Sequence, residues 1–253
     1  MNKISALIIC FNEEKNIGKC LESVIWCDEK VVIDGFSVDD TPGIAQKYGA
    51  KVYQNEWKGF SEQRKFGLTK VSNEWIFSLD ADERCSPELK DEILNLIVKN
   101  NLTEDAAGFE IPRKSFFLGK WIKHCGWYPD YQLRLFKKEC AFVKDRLVHE
   151  GYEVKGKTAK LRCDIFHEAV NSISGYMIKI NGYSGLSALE KKDRGNISYA
   201  GMLLRPAFEF IKKFIFQLGF LDGVQGLMVS YFHMITKILT YAKIREMQKG
   251  GKD

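Results

Sequence analysis

The first hundred residues alternate between short apolar runs and stretches in which apolar residues recur every three or four positions. Short, wholly apolar runs are typical of buried parallel strands, and the second spacing is typical of amphipathic helices. Ile4–Cys10 is almost wholly apolar, and 30–34, Lys51–Gln54 and 75–79 are the further predicted strands. This alternation predicts an α/β fold, with a doubly wound, mostly parallel sheet flanked by helices.

The pattern changes after residue 100. Strand-like runs follow at 108–113, 131–137, 141–144 and 148–154. The loop over 114–130 is long and rich in aromatic residues, and loops of this length in compact domains are usually functional or disordered. Helical spacing returns over 172–192 and again over 203–243. We therefore expect a main domain over 1–170, with halves at 1–100 and 101–170, and a C-terminal helical region over 171–253.

Composition excludes several classes of protein. With 253 residues, of which 45% are hydrophobic, the chain can bury a large core, so disordered, collagen-like and disulfide-scaffold proteins are excluded. A net charge of +5 is too small to indicate a nucleic-acid partner. The seven cysteines are odd in number and lack C-x-x-C spacing, and the first apolar run is too short for a signal peptide. We therefore expect a reduced, cytoplasmic protein.

Acidic side chains follow three of the predicted strands: Asn12-Glu13-Glu14 follows the first, Asp34 ends the second, and Asp80-Ala81-Asp82 follows the fourth. Parallel strands end at one edge of the sheet, and clustered carboxylates repel one another unless a cation offsets them. This edge therefore predicts a Mg²⁺ or Mn²⁺ site. In the D-x-D motif the two carboxylates point to one side, so one can face a ribose and the other a metal. The alternative is a solvated turn.

With these motifs the chain resembles the family-2 glycosyltransferases, which have the GT-A fold. Their first strand ends in a Tyr/Phe-Asn-Glu turn, matched by Phe11-Asn12-Glu13, and the second turn is matched by DGFSVDDT at 34–41. Five further segments resemble lipopolysaccharide-core glycosyltransferases that add glucose to heptose: WKGF at 57–60, SLDADER at 78–84, FLG at 117–119, GWYPDYQLRLF at 126–136 and VHE at 148–150.

Phe36 departs from the family pattern, which has a small residue, usually glycine, in the turn after the second strand. A bulky side chain argues against a left-handed backbone at this position. We therefore expect the preceding Gly35 to supply the flexibility of the turn.

The resemblance implies a metal-dependent, inverting transfer of a sugar, expected to be glucose, from a nucleotide diphosphate donor, expected to be UDP-linked. The residues that would bind the donor lie in the donor half, over 1–100, and are Phe11, Asn12, Glu13, Asp34, Arg64 and Asp80. Asp34 would hydrogen-bond the base, and Asp80 would hold the ribose or help to hold the metal. Asp82 would ligate Mg²⁺ or Mn²⁺, and Arg64 would contact the diphosphate unless it is only an exposed helix arginine.

An inverting transfer also needs a carboxylate that takes the proton from the acceptor hydroxyl. Asp130 and Glu150 are the two candidates in the acceptor half, over 101–170. We prefer Asp130, because Trp127 and Tyr128 beside it are suited to binding a sugar acceptor. The structural alternatives are a turn cap for Asp130, an ion pair with arginine for Glu150, and packing under the loop for the two rings.

Two histidines are candidates for the metal shell. His149 and His167 each precede a glutamate, but neither completes an H-E-x-x-H motif, which excludes a zinc protease. Either could complete the metal shell or act as a hydrogen-bonded structural residue.

The C-terminal region is rich in large apolar residues, but its longest uncharged run, 223–236, is shorter than the ~18 residues of a membrane-spanning helix. An apolar stripe is formed by Ile211, Phe214, Ile215 and Leu218, with Lys212 and Lys213 beside it. This predicts an interfacial helix on an anionic membrane, at the inner face of the cytoplasmic membrane, near a lipid-linked acceptor. The alternative is packing against the catalytic domain or a second subunit.

Two rival functions remain to be compared. A nucleotidyltransferase shares the α/β layout and the acidic metal site, but it should carry a glycine-rich basic loop where this chain has Asn12-Glu13-Glu14. A non-catalytic membrane-bound scaffold would keep the fold without the chemistry, yet the D-x-D motif is intact. The sequence favours the glycosyltransferase.

Overall fold

A computed structural model describes residues 2–98, 106–143, 151–192 and 198–250. Within these residues the strands are β1 Ile4–Cys10, β2 Glu29–Asp34, β3 Lys51–Gln54, β4 Trp75–Asp80, β5 Glu83–Cys85, β6 Ala106–Phe117, β7 Lys120–Trp121, β8 Asp130–Lys137, β9 Ala141–Val143, β10 Tyr152–Val154, β11 Lys157–Lys160 and β12 Ile165–Val170. The helices are α1 Ile17–Ser23, α2 Thr41–Lys47, α3 Phe60–Lys70, α4 Pro87–Ile93, α5 Ile173–Lys191, α6 Tyr199–Ile211 and α7 Gly223–Gly250. π-helical turns at Leu94–Val98 and Lys212–Phe216 and 3₁₀ turns at Lys138–Cys140 and Gly219–Asp222 complete the described elements.

The main sheet has the strand order β3-β2-β1-β4-β8-β6-β12-β5. The pairs β3–β2, β2–β1 and β1–β4 are parallel, as the strand–helix alternation predicts. Beyond β4 the sheet is mixed, because β8 runs antiparallel to both β4 and β6, whereas β11 pairs with β6 in parallel. The predicted α/β sheet flanked by helices is confirmed, and its acidic strand ends lie at the carboxyl edge of the parallel part.

Strand β1 is buried along its whole length and supplies both faces of the core. Ile4, Ala6 and Ile8 belong to one hydrophobic cluster, whereas Leu7 and Ile9 belong to the other. Side chains alternate between the faces of a strand, so a strand covered on both faces is apolar at nearly every position, and the buried Ser5 Oγ is satisfied by a hydrogen bond to Glu29. This explains why the run ISALIIC shows no polar alternation.

The residues divide into two compact units. The described residues of the first lie in Met1–Lys114, Asp130–Arg146 and Glu150–His167, and those of the second lie in Ser115–Pro129, Leu147–His149 and Glu168–Asp253. The predicted division into a catalytic domain over 1–170 and a C-terminal helical region over 171–253 stays a prediction.

The second unit has its own hydrophobic core. Phe117 packs against Tyr176 and Phe232, with ring centroids 5.7 and 6.0 Å apart, and Ile180 and Val229 are buried beside them. No helix of the described residues combines the length and apolar character needed to cross a bilayer.

Two predicted segments differ from the structure. The loop at 114–130 is shorter, because β6 continues to Phe117 and pairs with β7 in a tight hairpin. The segment 203–243 is not one helix, because Leu218 has a left-handed backbone (φ 55°) and a 3₁₀ turn follows it before α7 begins at Gly223. The sequence predicts a helix through this corner, because apolar residues at the corner keep the spacing of a helix.

Candidate active site

The turns after β1 and β2 are tied together by hydrogen bonds. The Asn12 N–H donates to Ser37 Oγ (2.8 Å), and the Val38 N–H donates to Asn12 Oδ1 (2.9 Å). The Glu13 N–H donates to Thr41 Oγ1 (2.8 Å). Asn12 has a left-handed backbone (φ 55°), which asparagine tolerates better than most residues. The predicted donor residues Asn12 and Glu13 therefore lie in one rigid double turn.

The carboxylates of Glu13 and Asp34 are engaged by their own turns. Glu13 Oε2 accepts from Asn16 Nδ2 (2.7 Å) at the start of α1. Asp34 is fully buried, and its Oδ2 accepts the Ser37 N–H (3.0 Å). These contacts fix the shape of the double turn, and binding of a base by Asp34 stays a prediction.

The expectation for Phe36 was wrong. Phe36 has a left-handed backbone (φ 64°), and the φ of Gly35 is not in that range. Glycine is needed at 35 for a different reason, because a Cβ there would lie 2.7 Å from the Trp57 ring. The Asp34–Ser37 hydrogen bond spans the turn and holds Phe36 in this conformation.

An aromatic face lies beside this turn. The Phe11 ring stacks on Trp57 with centroids 5.6 Å apart, and Phe60 meets the Trp57 ring nearly at right angles, 5.0 Å away. Phe11 is 43% exposed and Phe36 is 54% exposed. Exposed rings beside a polar turn are suited to stacking on a flat nucleotide base.

Asp80, at the end of β4, is held by two arginines. Its Oδ1 lies 3.1 Å from Arg64 Nη2, and its Oδ2 lies 2.6 Å from Arg134 Nη2. Burial alone would raise the pKa of Asp80, but the positive charges of Arg134 and Arg64 outweigh it and hold the pKa well below its usual range. Arg64 is buried, so it is not an exposed helix arginine.

The arginine contacts extend from Asp80 to Asp130. Glu83 is fully buried, and its Oε1 accepts from Arg134 Nη2 (2.7 Å) and from Arg113 Nη1 (3.0 Å). Arg113 also donates to Asp130 Oδ2 through Nε (3.0 Å) and Nη2. Glu83, Arg113 and Arg134 were not predicted, because each comes from a different strand. The signal that was available is the SLDADER segment, in which Glu83 directly follows the D-x-D motif.

Asp82 and His167 form the part of the site best suited to a metal. His167 Nε2 lies 3.4 Å from Asp82 Oδ2, and both side chains are largely buried, because β12 pairs with β5 next to the D-x-D turn. Among the described residues no group of three or more metal-binding side chains occurs. A carboxylate with an imidazole still fits a Mg²⁺ or Mn²⁺ ion whose remaining ligands are substrate phosphates and water. Asp80 is less suited, since both of its oxygens face guanidinium groups.

Trp127 and Tyr128 are packed within the second unit. The Trp127 indole N–H donates to His233 Nε2 (3.1 Å), and the ring meets Phe117 at an angle. Burial, with a further effect of nearby lysines, lowers the pKa of His233 to about 3, so this imidazole is neutral and able to accept. Tyr128 meets the Trp121 ring edge to face at 5.3 Å. These contacts correspond to the packing alternative, and sugar stacking stays a prediction.

Two candidates cannot be placed. Glu150, the second candidate base, and His149, the second candidate metal ligand, lie outside the described residues. Asp130 is described, at the start of β8.

Comparison with known proteins identifies the family. The family model described as glycosyl transferase family 2 matches residues 5–153, more than half of the chain. The chain belongs to glycosyl transferase family 2. It is therefore an enzyme of the glycosyltransferase class, as expected from the motifs, and not a nucleotidyltransferase.

Two similar glycosyltransferases match nearly the whole chain. The lipopolysaccharide core biosynthesis glycosyltransferase LpsC of Rhizobium meliloti is 27% identical over 254 residues, which are 95% of this chain and 91% of LpsC. An uncharacterised glycosyltransferase of Rickettsia felis is 30% identical over 97% of this chain and 90% of its own length.

Among solved structures, S. aureus TarS 1–349 in complex with UDP-GlcNAc has a TM-score of 0.51 at 15% identity, covering 98% of this chain and 92% of TarS 1–349. At this identity the likeness shows the fold alone, and the GT-A fold expected from the sequence is confirmed.

Proposed function

We propose that this family-2 glycosyltransferase transfers a sugar, expected to be glucose, from a UDP-sugar to a lipid-linked saccharide of the lipopolysaccharide-core type, with inversion at the sugar carbon. The observation that carries the proposal is the group of Asp80, Asp82 and His167 at the carboxyl edge of the sheet, in a chain of this family. The acceptor class is supported by similarity to LpsC, which is named for lipopolysaccharide core biosynthesis.

The donor is proposed to lie over the double turn after β1 and β2. The exposed rings of Phe11 and Phe36 offer a stacking surface for the base. Asp34 and Asn12 shape this turn through their hydrogen bonds to Ser37 and Val38. A UDP-sugar as donor is supported by TarS 1–349, a protein of similar fold whose structure was solved in complex with UDP-GlcNAc. Arg64 is tied to Asp80, so its proposed role is to fix that carboxylate in the donor site.

Asp82 and His167 would hold a Mg²⁺ or Mn²⁺ ion. When bound, the ion would offset the charge that develops on the leaving diphosphate. Asp80 is proposed to face the ribose, because its two arginine contacts keep it ionised and fixed.

Asp130 is the proposed base that takes the acceptor proton. Its carboxylate is partly exposed, and Arg113 holds one of its oxygens. Glu150 stays the alternative.

The second unit is proposed to attach the enzyme to the inner face of the cytoplasmic membrane, where a lipid-linked acceptor would lie. Large apolar side chains of α6 and the turns after it are exposed to solvent, with the basic Arg205 and Lys212 in the same segment.

The direct test is to incubate the full chain with a panel of UDP-sugars and Mn²⁺ and to measure release of UDP. We expect one UDP-sugar to be turned over, and Asp82→Asn to lower kcat/KM by about 100-fold or more, because a metal contact contributes several kcal/mol.

Asp91→Asn is the matched control, because Asp91 is an exposed carboxylate on α4 in the same unit. It should leave turnover unchanged. The proposal fails if no UDP-sugar is bound or turned over, or if Asp82→Asn behaves like Asp91→Asn.

A further inference from the structure

A continuous series of alternating charges runs through the first unit. It begins at Arg64 on α3 and continues through Asp80, Arg134, Glu83 and Arg113 to Asp130, with successive contacts of 3.1 Å or less. Each charge inside the series therefore has an opposite charge on either side.

Glu83 is the buried centre of this series. Its side chain is fully buried, and a buried carboxylate is costly unless opposite charges and hydrogen-bond donors surround it. Arg134 and Arg113 supply the charges, and the Asp80 N–H donates to Glu83 Oε2 (3.0 Å). Because Glu83 is surrounded in this way, its contact with Arg113 has a fixed geometry.

Arg113 links the buried Glu83 to Asp130 and so restricts the position of the Asp130 carboxylate. The two residues lie opposite each other on the antiparallel strands β6 and β8. Nη1 of Arg113 is bound to Glu83, while Nε and Nη2 both face Asp130 Oδ2. Gln132 Nε2 donates to the other oxygen, Oδ1 (2.8 Å). A planar guanidinium held at both ends leaves the Asp130 carboxylate little freedom to rotate.

We propose that Arg113, anchored by Glu83, is the positioning residue for the base Asp130. The inference rests on the proposed function, in which Asp130 takes the acceptor proton. A general base must be held within hydrogen-bond reach of that proton, and a displacement of about 1 Å can cost about 100-fold in rate. The guanidinium of Arg113 contacts Asp130 directly but reaches the donor residue Asp80 only through Glu83 and Arg134, so we expect its loss to affect proton transfer more than donor binding.

The experiment is a double-mutant cycle on UDP-glucose hydrolysis with Mn²⁺, in which water replaces the acceptor and kcat and KM are measured separately. We expect Arg113→Gln and Asp130→Asn each to lower kcat by about 100-fold, with KM for UDP-glucose nearly unchanged. In the Asp130→Asn protein, adding Arg113→Gln should lower kcat by no more than about 3-fold, because no base remains to be positioned.

Two further variants separate positioning from loss of folding. Arg113→Lys keeps the positive charge beside Glu83 but lacks the planar fork, so its kcat should lie between those of the wild type and Arg113→Gln. Lys114→Met is the matched control, because it breaks the 3.0 Å ion pair with Asp164 from the next residue of the same strand. It should leave kcat unchanged.

Wild-type turnover tests the proposed function, and the ratios among the variants test the role of Arg113. Additive effects in the cycle would overturn the positioning role, as would full activity of Asp130→Asn, or a rise in KM with kcat preserved in Arg113→Gln.

Discussion

At the scale of single residues, Phe36 carries strain beside the proposed donor site. Its backbone is left-handed (φ 64°), which costs an L-residue about 1–2 kcal/mol relative to glycine. More than half of its side chain is exposed, so little packing offsets this cost. Strain of this kind persists where the surrounding turn determines the backbone, as the Asp34–Ser37 hydrogen bond does here.

Phe36→Gly is therefore expected to stabilise the protein. Relief of about 1–2 kcal/mol exceeds the entropic cost of a new glycine, about 0.5–1 kcal/mol, so the free energy of unfolding should rise by about 0.5–1 kcal/mol. The midpoint of urea unfolding would measure it. Because the ring is also the proposed stacking surface, the same variant should bind UDP more weakly.

Val38→Gly is the control for this variant. Val38 is 91% exposed in the same turn and does not have a positive φ, so its replacement adds only the entropic cost of glycine. Equal destabilisation by the two substitutions would show that Phe36 is not strained.

The candidate site could be predicted only in part from single residues. Asp80 and Asp82 follow an apolar run, so their place at a sheet edge is visible in the sequence. Arg113 and Glu83 are 30 positions apart, and their contact depends on strand order and register. No local pattern encodes that register, so the charge series from Arg64 to Asp130 could not be predicted.

At the scale of elements, the corner between the Gly219–Asp222 turn and α7 depends on close backbone approach. A Cβ on Gly226 would lie 1.9 Å from the carbonyl oxygen of Gly219, and a Cβ on Gly219 would lie 2.6 Å from Cys125 Sγ. Real Cβ atoms do not approach a backbone oxygen so closely, so the two glycines are required for the turn to pack on the helix.

Gly226→Ala is expected to destabilise the second unit by about 2 kcal/mol, because the added methyl group forces backbone apart in a packed region. Urea unfolding followed by tryptophan fluorescence, to which Trp121 and Trp127 of that unit contribute, would measure the loss.

Gly182→Ala is the matched control. Gly182 lies on α5, and a Cβ added there would meet nothing within 4 Å, so alanine should raise stability by about 0.5–1 kcal/mol through helix propensity. A corner that tolerated Gly226→Ala equally well would contradict the close approach.

The elements that could be predicted are those with a long or strongly periodic signal. The bounds of β1 match its apolar run, and Ser86 caps α4, since its Oγ accepts the Leu89 N–H. The short strands β5, β7, β11 and β12 were missed, because two to six residues carry little periodicity. Strands β5, β11 and β12 are formed by pairing with strands distant in the sequence, and β7 is formed by a hairpin with β6.

At the scale of the whole molecule, exposed large apolar residues are concentrated in one part of the second unit. Between 199 and 224 they are Tyr199, Leu203, Leu204, Phe208, Ile211, Ile215, Phe216, Leu218, Phe220, Leu221 and Val224. We call these residues, which lie on α6, in the turns after it and at the start of α7, the apolar face of α6. Clusters of this size are uncommon on monomers and mark surfaces that bind a membrane or a partner.

The charges beside the apolar face of α6 differ from the expectation in one respect. Lys212 is exposed, but Lys213 turns inward, and its Nζ donates to the Cys125 carbonyl oxygen (2.8 Å). Burial lowers the pKa of Lys213. Arg205 and Lys212 are therefore the basic groups available to anionic lipid.

The membrane proposal predicts that the full chain floats with vesicles, more strongly when anionic phosphatidylglycerol is added to neutral lipid and less strongly in high salt. Replacing two side chains of the apolar face of α6, Leu204→Glu with Phe208→Glu, should weaken flotation by about 10-fold or more, because each buried apolar side chain contributes about 1.5–3 kcal/mol.

Ile25→Glu is the control, since Ile25 is 64% exposed in the first unit and should not affect flotation. Equal flotation of all three proteins would refute membrane attachment by this face. A concentration-dependent dimer lost in the double variant would assign the face to a second copy of the chain.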